Sequence, residues 1–175
     1  DGLAVAAGPG SFTGLRIGVA AVKGLALAAG KPCCGVSTLE AMAFSLAHMD
    51  GFLLCPVMDA RRSQVYNALF LAEGGAPARL CEDRAVTVEE LCAELKNLKK
   101  SVVLVGDGVE LCYNASLEMG VDGRPAPPAL RFQTAAGVCM AARRGTFSAP
   151  DELQTVYLRL SQAERERLAR MKRDA

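Results

Sequence analysis

The chain has 175 residues, 51% of them hydrophobic, enough to bury a core as one compact domain or as two small lobes. Twenty basic residues against nineteen acidic ones leave a formal net charge of +1, so no global field draws the protein to nucleic acid or to an anionic membrane. Seven cysteines without a Cys-x-x-Cys spacing, and the single histidine His48, point to reduced thiols in a cytoplasm and offer no local set of metal ligands.

In chain order, Leu3 to Ala7 reads as a buried strand, with no methionine or capping residue before it, so the chain is expected to start in mid-fold. The loop Gly8-Pro9-Gly10-Ser11-Phe12-Thr13-Gly14 follows, and then a helix from Leu15 to Ala29, stopped by Gly30 and Pro32. The apolar stretch Ile17 to Gly30 is broken by Lys23 and reads as too short to span a bilayer. After a short strand ending at Val36, Ser37-Thr38-Leu39-Glu40 has the spacing of a capping box and opens a helix from Thr38 to about Met49.

Phe52 to Met58 and Val65 to Leu71 read as a strand hairpin whose tip, Asp59 to Gln64, is a solvated turn. Gly74-Gly75-Ala76-Pro77 is expected as a loop and Arg79 to Val86 as one strand. A second capping box, Thr87-Val88-Glu89-Glu90, starts a helix to about Leu98. Val102 to Val105 is a buried strand ending at Gly106-Asp107-Gly108, and a helix covers Val109 to Met119. A proline-rich connection from Gly123 to Pro128 leads to an amphipathic helix from Thr134 to Arg144. The basic tail from Arg165 to Arg173, diluted by Glu164, Glu166 and Asp174, reads as a solvated helix face. Strands alternating with helices around a central hairpin predict an α/β fold with a mixed sheet.

The glycine loop sits where backbone N–H groups bind phosphate, yet it fits neither known spacing. Gly14 is followed by Leu15 and Arg16 rather than Lys-Ser/Thr, and Thr13 stands where a dinucleotide motif needs glycine. Its residues suit a tight turn with Ser11 or Thr13 capping the next helix. That helix has only two charges, Arg16 and Lys23, on one stripe. Ala20, Gly24 and Ala28 form a row of small residues, and Gly14 and Gly18 begin another. It is either an internal core helix or a helix with one face inward and the other against a partner protein. Asp59, Arg61 and Arg62 read as surface, vicinal Cys33 and Cys34 as core thiols, and Ser11 has no general base in sequence.

From Gly8 to Gly18 the chain resembles the TsaB family, also called YeaZ, the dimerization subunit of tRNA threonylcarbamoyladenosine synthesis. The likeness continues through Gly35-Val36-Ser37-Thr38-Leu39, Asp59-Ala60-Arg61 with Val65-Tyr66, and Val156-Tyr157-Leu158-Arg159. The resemblance implies an actin-like, Hsp70-like (ribonuclease H-like) fold of two lobes. Residues 1–51 would be a remnant of the first lobe, 52–148 the second lobe and 149–175 a C-terminal segment with a helical tail. It also implies a strand hairpin and a helix ahead of Asp1, so the first lobe is expected to be N-terminally incomplete and the Leu3 strand to expose an edge that invites self-association.

In function the resemblance implies a non-catalytic scaffold that binds TsaD directly and TsaE through that complex. It would form a homodimer in isolation, meet tRNA only indirectly, and work beside the synthase TsaC without catalytic, cofactor or metal residues. The partner surface is expected at Gly14, Arg16, Ile17, Gly18, Ala20, Ala21, Lys23, Gly24, Leu25 and Ala28. The alternatives are a nucleotide-binding ATPase or phosphotransferase of the same fold and a glycoprotease-like metallopeptidase.

Overall fold

A computed structural model describes residues 1–159 and 171. The tail reading from Arg165 to Arg173 lies outside the described residues, Met171 apart. Strand β1 (Leu3–Gly8) runs into helix α1 (Phe12–Ala29), which crosses over to β2 (Cys33–Ser37), and the two strands pair in parallel. Ser11 caps α1 by accepting the Gly14 N–H at 3.3 Å, and Gly30 ends it in the left-handed conformation at φ 60°. The helix starts three residues earlier than its apolar pattern suggests, because the cap and not the first apolar residue sets the boundary. At 18 residues the whole helix is long and apolar enough for a membrane span by length and composition alone, although the run Ile17 to Gly30 is shorter. In this fold it packs on β1 and the C-terminal segment.

Helix α2 (Thr38–Ser45) begins at Ser37, whose hydroxyl accepts the Glu40 N–H at 3.2 Å. The reciprocal half of the expected capping box does not form, because the Glu40 carboxylate pairs with Arg79 at 3.2 Å. The helix ends at Ser45 and short turns replace its last predicted turn.

The larger sheet is built on β3 (Leu53–Asp59). Strand β4 (Gln64–Asn67) pairs antiparallel with its C-terminal end and β5 (Phe70–Glu73) with its N-terminal end. The run expected as one strand is therefore two. Asn67, fully buried at the break, donates to the Pro56 and Ala68 carbonyls at 2.9 and 3.0 Å and accepts from Arg84. Strand β6 (Ala76–Arg79) pairs with β5 across Gly74 and Gly75 (φ 60° and 75°), a two-residue hairpin turn where a loop was expected. Strand β7 (Arg84–Thr87) pairs with β4, so the Arg79 to Val86 run also divides.

The second capping box forms in full at helix α3 (Val88–Leu98). Strand β8 (Val102–Val105) joins β3 in parallel, helix α4 (Val109–Glu118) follows, and β9 (Gly123–Pro125), read from sequence as a connection, extends the sheet beside β8. Helix α5 (Ala135–Ala142), capped by Thr134, packs on α2.

Alternation along β3 and β8 sends Leu53, Cys55, Val102 and Leu104 toward α3 and α4, and Leu54, Val103 and Val105 toward α2. Cys55, Cys92 and Cys112 lie within the first of these cores. Burial, helped by Cys92, pushes the Cys112 thiol up to about 12, so it stays protonated. All seven cysteines are free thiols.

Candidate functional site

Helix α1 turns only a narrow stripe inward. Leu15, Val19 and Ala26 are buried, with Val22 half-buried against β1 and Leu153. The opposite side is open: Ile17, Leu25 and Leu27 are 65%, 60% and 76% exposed. Isolated exposed leucines are ordinary, whereas several along one helix beside small residues leave an apolar side open to solvent.

Of the residues expected on that surface, Gly14, Arg16, Ile17, Ala20, Ala21, Gly24, Leu25 and Ala28 are exposed, while Gly18 and Lys23 are half-buried. A Cβ added at Gly18 would rest on Val5 at 3.8 Å, whereas one at Gly24 would meet nothing within 4 Å. Among the described residues, nothing covers the helix at Gly24. The sequence could not separate the two readings, because apolar and small residues occur all round the helix.

Beside this face lies a groove of about 510 Å³ between α1 and the segment Leu153 to Tyr157, which the expected surface did not include. The segment is fastened where Val156 donates to the Ala7 carbonyl at 2.8 Å. Gly8, at φ 139°, makes room for it, since any Cβ there would strike the Val156 carbonyl. Tyr157 stacks on Phe12 with centroids 4.5 Å apart. The Arg16 guanidinium lies 3.9 Å over the Phe12 ring, and its Nε donates to the Tyr157 hydroxyl at 3.1 Å. Hydrogen bonding to the Thr155 side chain, and then to Arg16, draws the Tyr157 phenol below its ordinary value, with desolvation opposing. Lys23 donates from Nζ to the Asp151 carbonyl at 3.2 Å. The run Val156 to Arg159 was visible in sequence, but its position against α1 was not.

The glycine loop spends its polar groups locally: the Ser11 side chain accepts the Gly14 N–H, and the Ser11 carbonyl accepts the Leu15 N–H. The Asp59 to Ser63 tip is tied down as well, with Asp59 Oδ1 accepting from Arg61 N at 2.7 Å and Arg159 donating to the Ala60 carbonyl at 2.6 Å. Among the described residues, no three His, Cys, Asp or Glu side chains gather closely enough to hold a metal ion.

The family described as "TsaD: tRNA N6-adenosine threonylcarbamoyltransferase" matches residues 1–162. The tRNA threonylcarbamoyladenosine biosynthesis protein TsaB of Escherichia coli is 34% identical over 164 residues, covering 91% of this chain and 71% of that protein. TsaB of Bacillus subtilis is 38% identical over 109 residues, which are 62% of this chain and 47% of that protein. A crystal structure from Pseudomonas aeruginosa, described as similar to peptidase YEAZ, superposes with a TM-score of 0.74 at 24% identity. It covers 91% of this chain and 74% of that one.

Proposed function

The chain belongs to the TsaB (YeaZ) family and has its actin-like α/β fold with a mixed sheet, and from that premise we propose that it is a non-catalytic subunit of the threonylcarbamoyl transfer machinery. It binds a TsaD-type transferase through the outward side of α1 and so supports modification of a tRNA adenosine. The observation that carries this reading is the exposure of Ile17, Leu25 and Leu27 beside Gly24, an apolar side that nothing else in the described chain covers. A helix backbone can come close along Gly14, Ala21, Gly24 and Ala28, as small residues permit. TsaE joins through the assembled pair, and the same face pairs two copies when TsaD is absent. A net charge of +1 leaves tRNA binding to the partner, and the free thiols suit a cytoplasmic setting. Residues 1–51, 52–148 and 149–175 would form the first lobe, the second lobe and the C-terminal segment.

The test is reconstitution of tRNA modification from TsaC, TsaD, TsaE and this protein at full length. Modification is expected only when both this protein and TsaD are present, with direct binding between them. Undiminished modification without this protein would sink the proposal. The matched family is itself described as a transferase, which favours a second reading, an enzyme of the same fold, in its nucleotide-binding form an ATPase or phosphotransferase. Titration calorimetry separates the two, since a stoichiometric ATP site on the protein alone supports the second.

A further inference from the structure

We propose that the flank of α1 formed by Arg16 and Lys23 receives two carboxylates from the docked partner helix, one at each cation, so that the interface is keyed by charge as well as by shape. This inference rests on the reading of α1 as the docking helix and specifies what the partner must carry.

Of the half-buried arginines elsewhere among the described residues, Arg79 pairs with Glu40 and Asp83 and Arg84 with Glu94, whereas Arg131 and Arg159 have no carboxylate partner. Arg16 and Lys23 make no ion pair among the described residues. Arg16 is nevertheless held in place, by Phe12 beneath its plane and Tyr157 at its Nε. That arrangement uses one of five guanidinium donors and leaves the terminal pair without a carboxylate among the described residues, open to a bidentate one. Lys23 spends one of three donors on a carbonyl, that of Asp151, which does not neutralise its charge.

The two cations stand seven residues apart, about 10 Å along the helix, on the wall of the groove shared with Ala20. Ala20 belongs to the small-residue row that includes Gly24 and Ala28. A helix seated on that row, at the usual interaxial distance of about 8–10 Å, takes water away from the groove. Desolvating two cations without counter-ions opposes binding, whereas acceptors on the partner turn the same burial into orientation and register. The occupant that fits is therefore a helix with acidic side chains two turns apart. A wholly aliphatic helix would leave both charges stranded.

The experiment measures affinity of the full-length protein for its TsaD-type partner at low and high salt. Arg16→Glu and Lys23→Glu are made singly and together, with Gly24→Arg as the control for the docking face. Arg16 also steadies Tyr157, so Lys23→Glu, remote from that contact, guards against a merely structural effect. Expected are unchanged melts for Lys23→Glu, loss of affinity of about a hundredfold or more for the double variant, and recovery when acids on the partner helix are replaced by lysine. Wild-type affinity should fall with salt and that of an Arg16→Ala, Lys23→Ala variant much less. Unchanged affinity in the charge-reversed variants, with Gly24→Arg still blocking binding, overturns the carboxylate inference and leaves the docking helix intact. Unchanged affinity in Gly24→Arg removes the docking helix and the inference with it. Inorganic phosphate binding to this flank without competing with the partner would also overturn it.

Discussion

Gly24→Arg separates a docking helix from a core helix with one substitution. A Cβ at Gly24 meets nothing within 4 Å, so the arginine side chain enters solvent and a single protomer feels only the change in helix propensity. Replacing glycine by arginine inside an exposed helix gains about 0.8 kcal/mol, which for a chain of this size raises the melting temperature by about 2–3 °C. On a docked helix the same side chain lies where two backbones approach. Burying its charge without a counter-ion costs on the order of 3 kcal/mol, and a loss of that size weakens binding more than about a hundredfold. A thermal melt of the full-length variant and a pull-down of TsaD read the two quantities independently. A collapsed melt would show the row packed within the fold. A normal melt with undiminished pull-down would remove α1 from the interface, and with it the reasoning from exposure.

Two further predictions concern the scaffold. Asn67→Ala orphans the buried carbonyls of Pro56 and Ala68, at about 1–3 kcal/mol for each unsatisfied group. Chemical denaturation should show a loss of about 3 kcal/mol once relaxation is allowed for, and a loss below about 1 kcal/mol would mean that Asn67 does not hold the break between β4 and β5. At the α3 capping box, the Thr87 backbone N–H and then its hydroxyl hold the Glu90 carboxyl below its ordinary 4.5. A depressed carboxyl stabilises the fold above pH 4.5 and loses that contribution as pH falls through the folded-state value. Thr87→Ala should lower stability at neutral pH by about 1 kcal/mol and flatten the decline below pH 4.5, and parallel acid profiles for variant and wild type would refute the box as its source.

The sequence by itself determined the elements whose signals lie within a few residues of one another. Ser11 and Gly30 bracket α1, Thr87 and Glu90 start α3, and the apolar runs of β3 and β8 mark buried central strands. The motif from Gly8 to Gly18 carried the family, because a glycine loop opening into a nearly uncharged helix is a dense local pattern. Tertiary structure decided whatever depends on a partner far along the chain. Glu40 had the spacing to close a capping box but was taken by Arg79, thirty-nine residues on. Asn67 cut one apolar run into two strands because Pro56 and Arg84 offer hydrogen bonds there, and β9 became a strand only because β8 lay free beside it. The candidate site divides in the same way. Its residues were legible on α1, but their outward direction was not, since apolar and small side chains surround that helix. Packing of Leu15, Val19 and Ala26 against β1 and Leu153 fixed the direction, and Tyr157, 141 residues from Arg16, completed the flank. Hydrogen bonds within one turn of helix can be read from spacing, whereas those between distant segments exist only once the chain has folded.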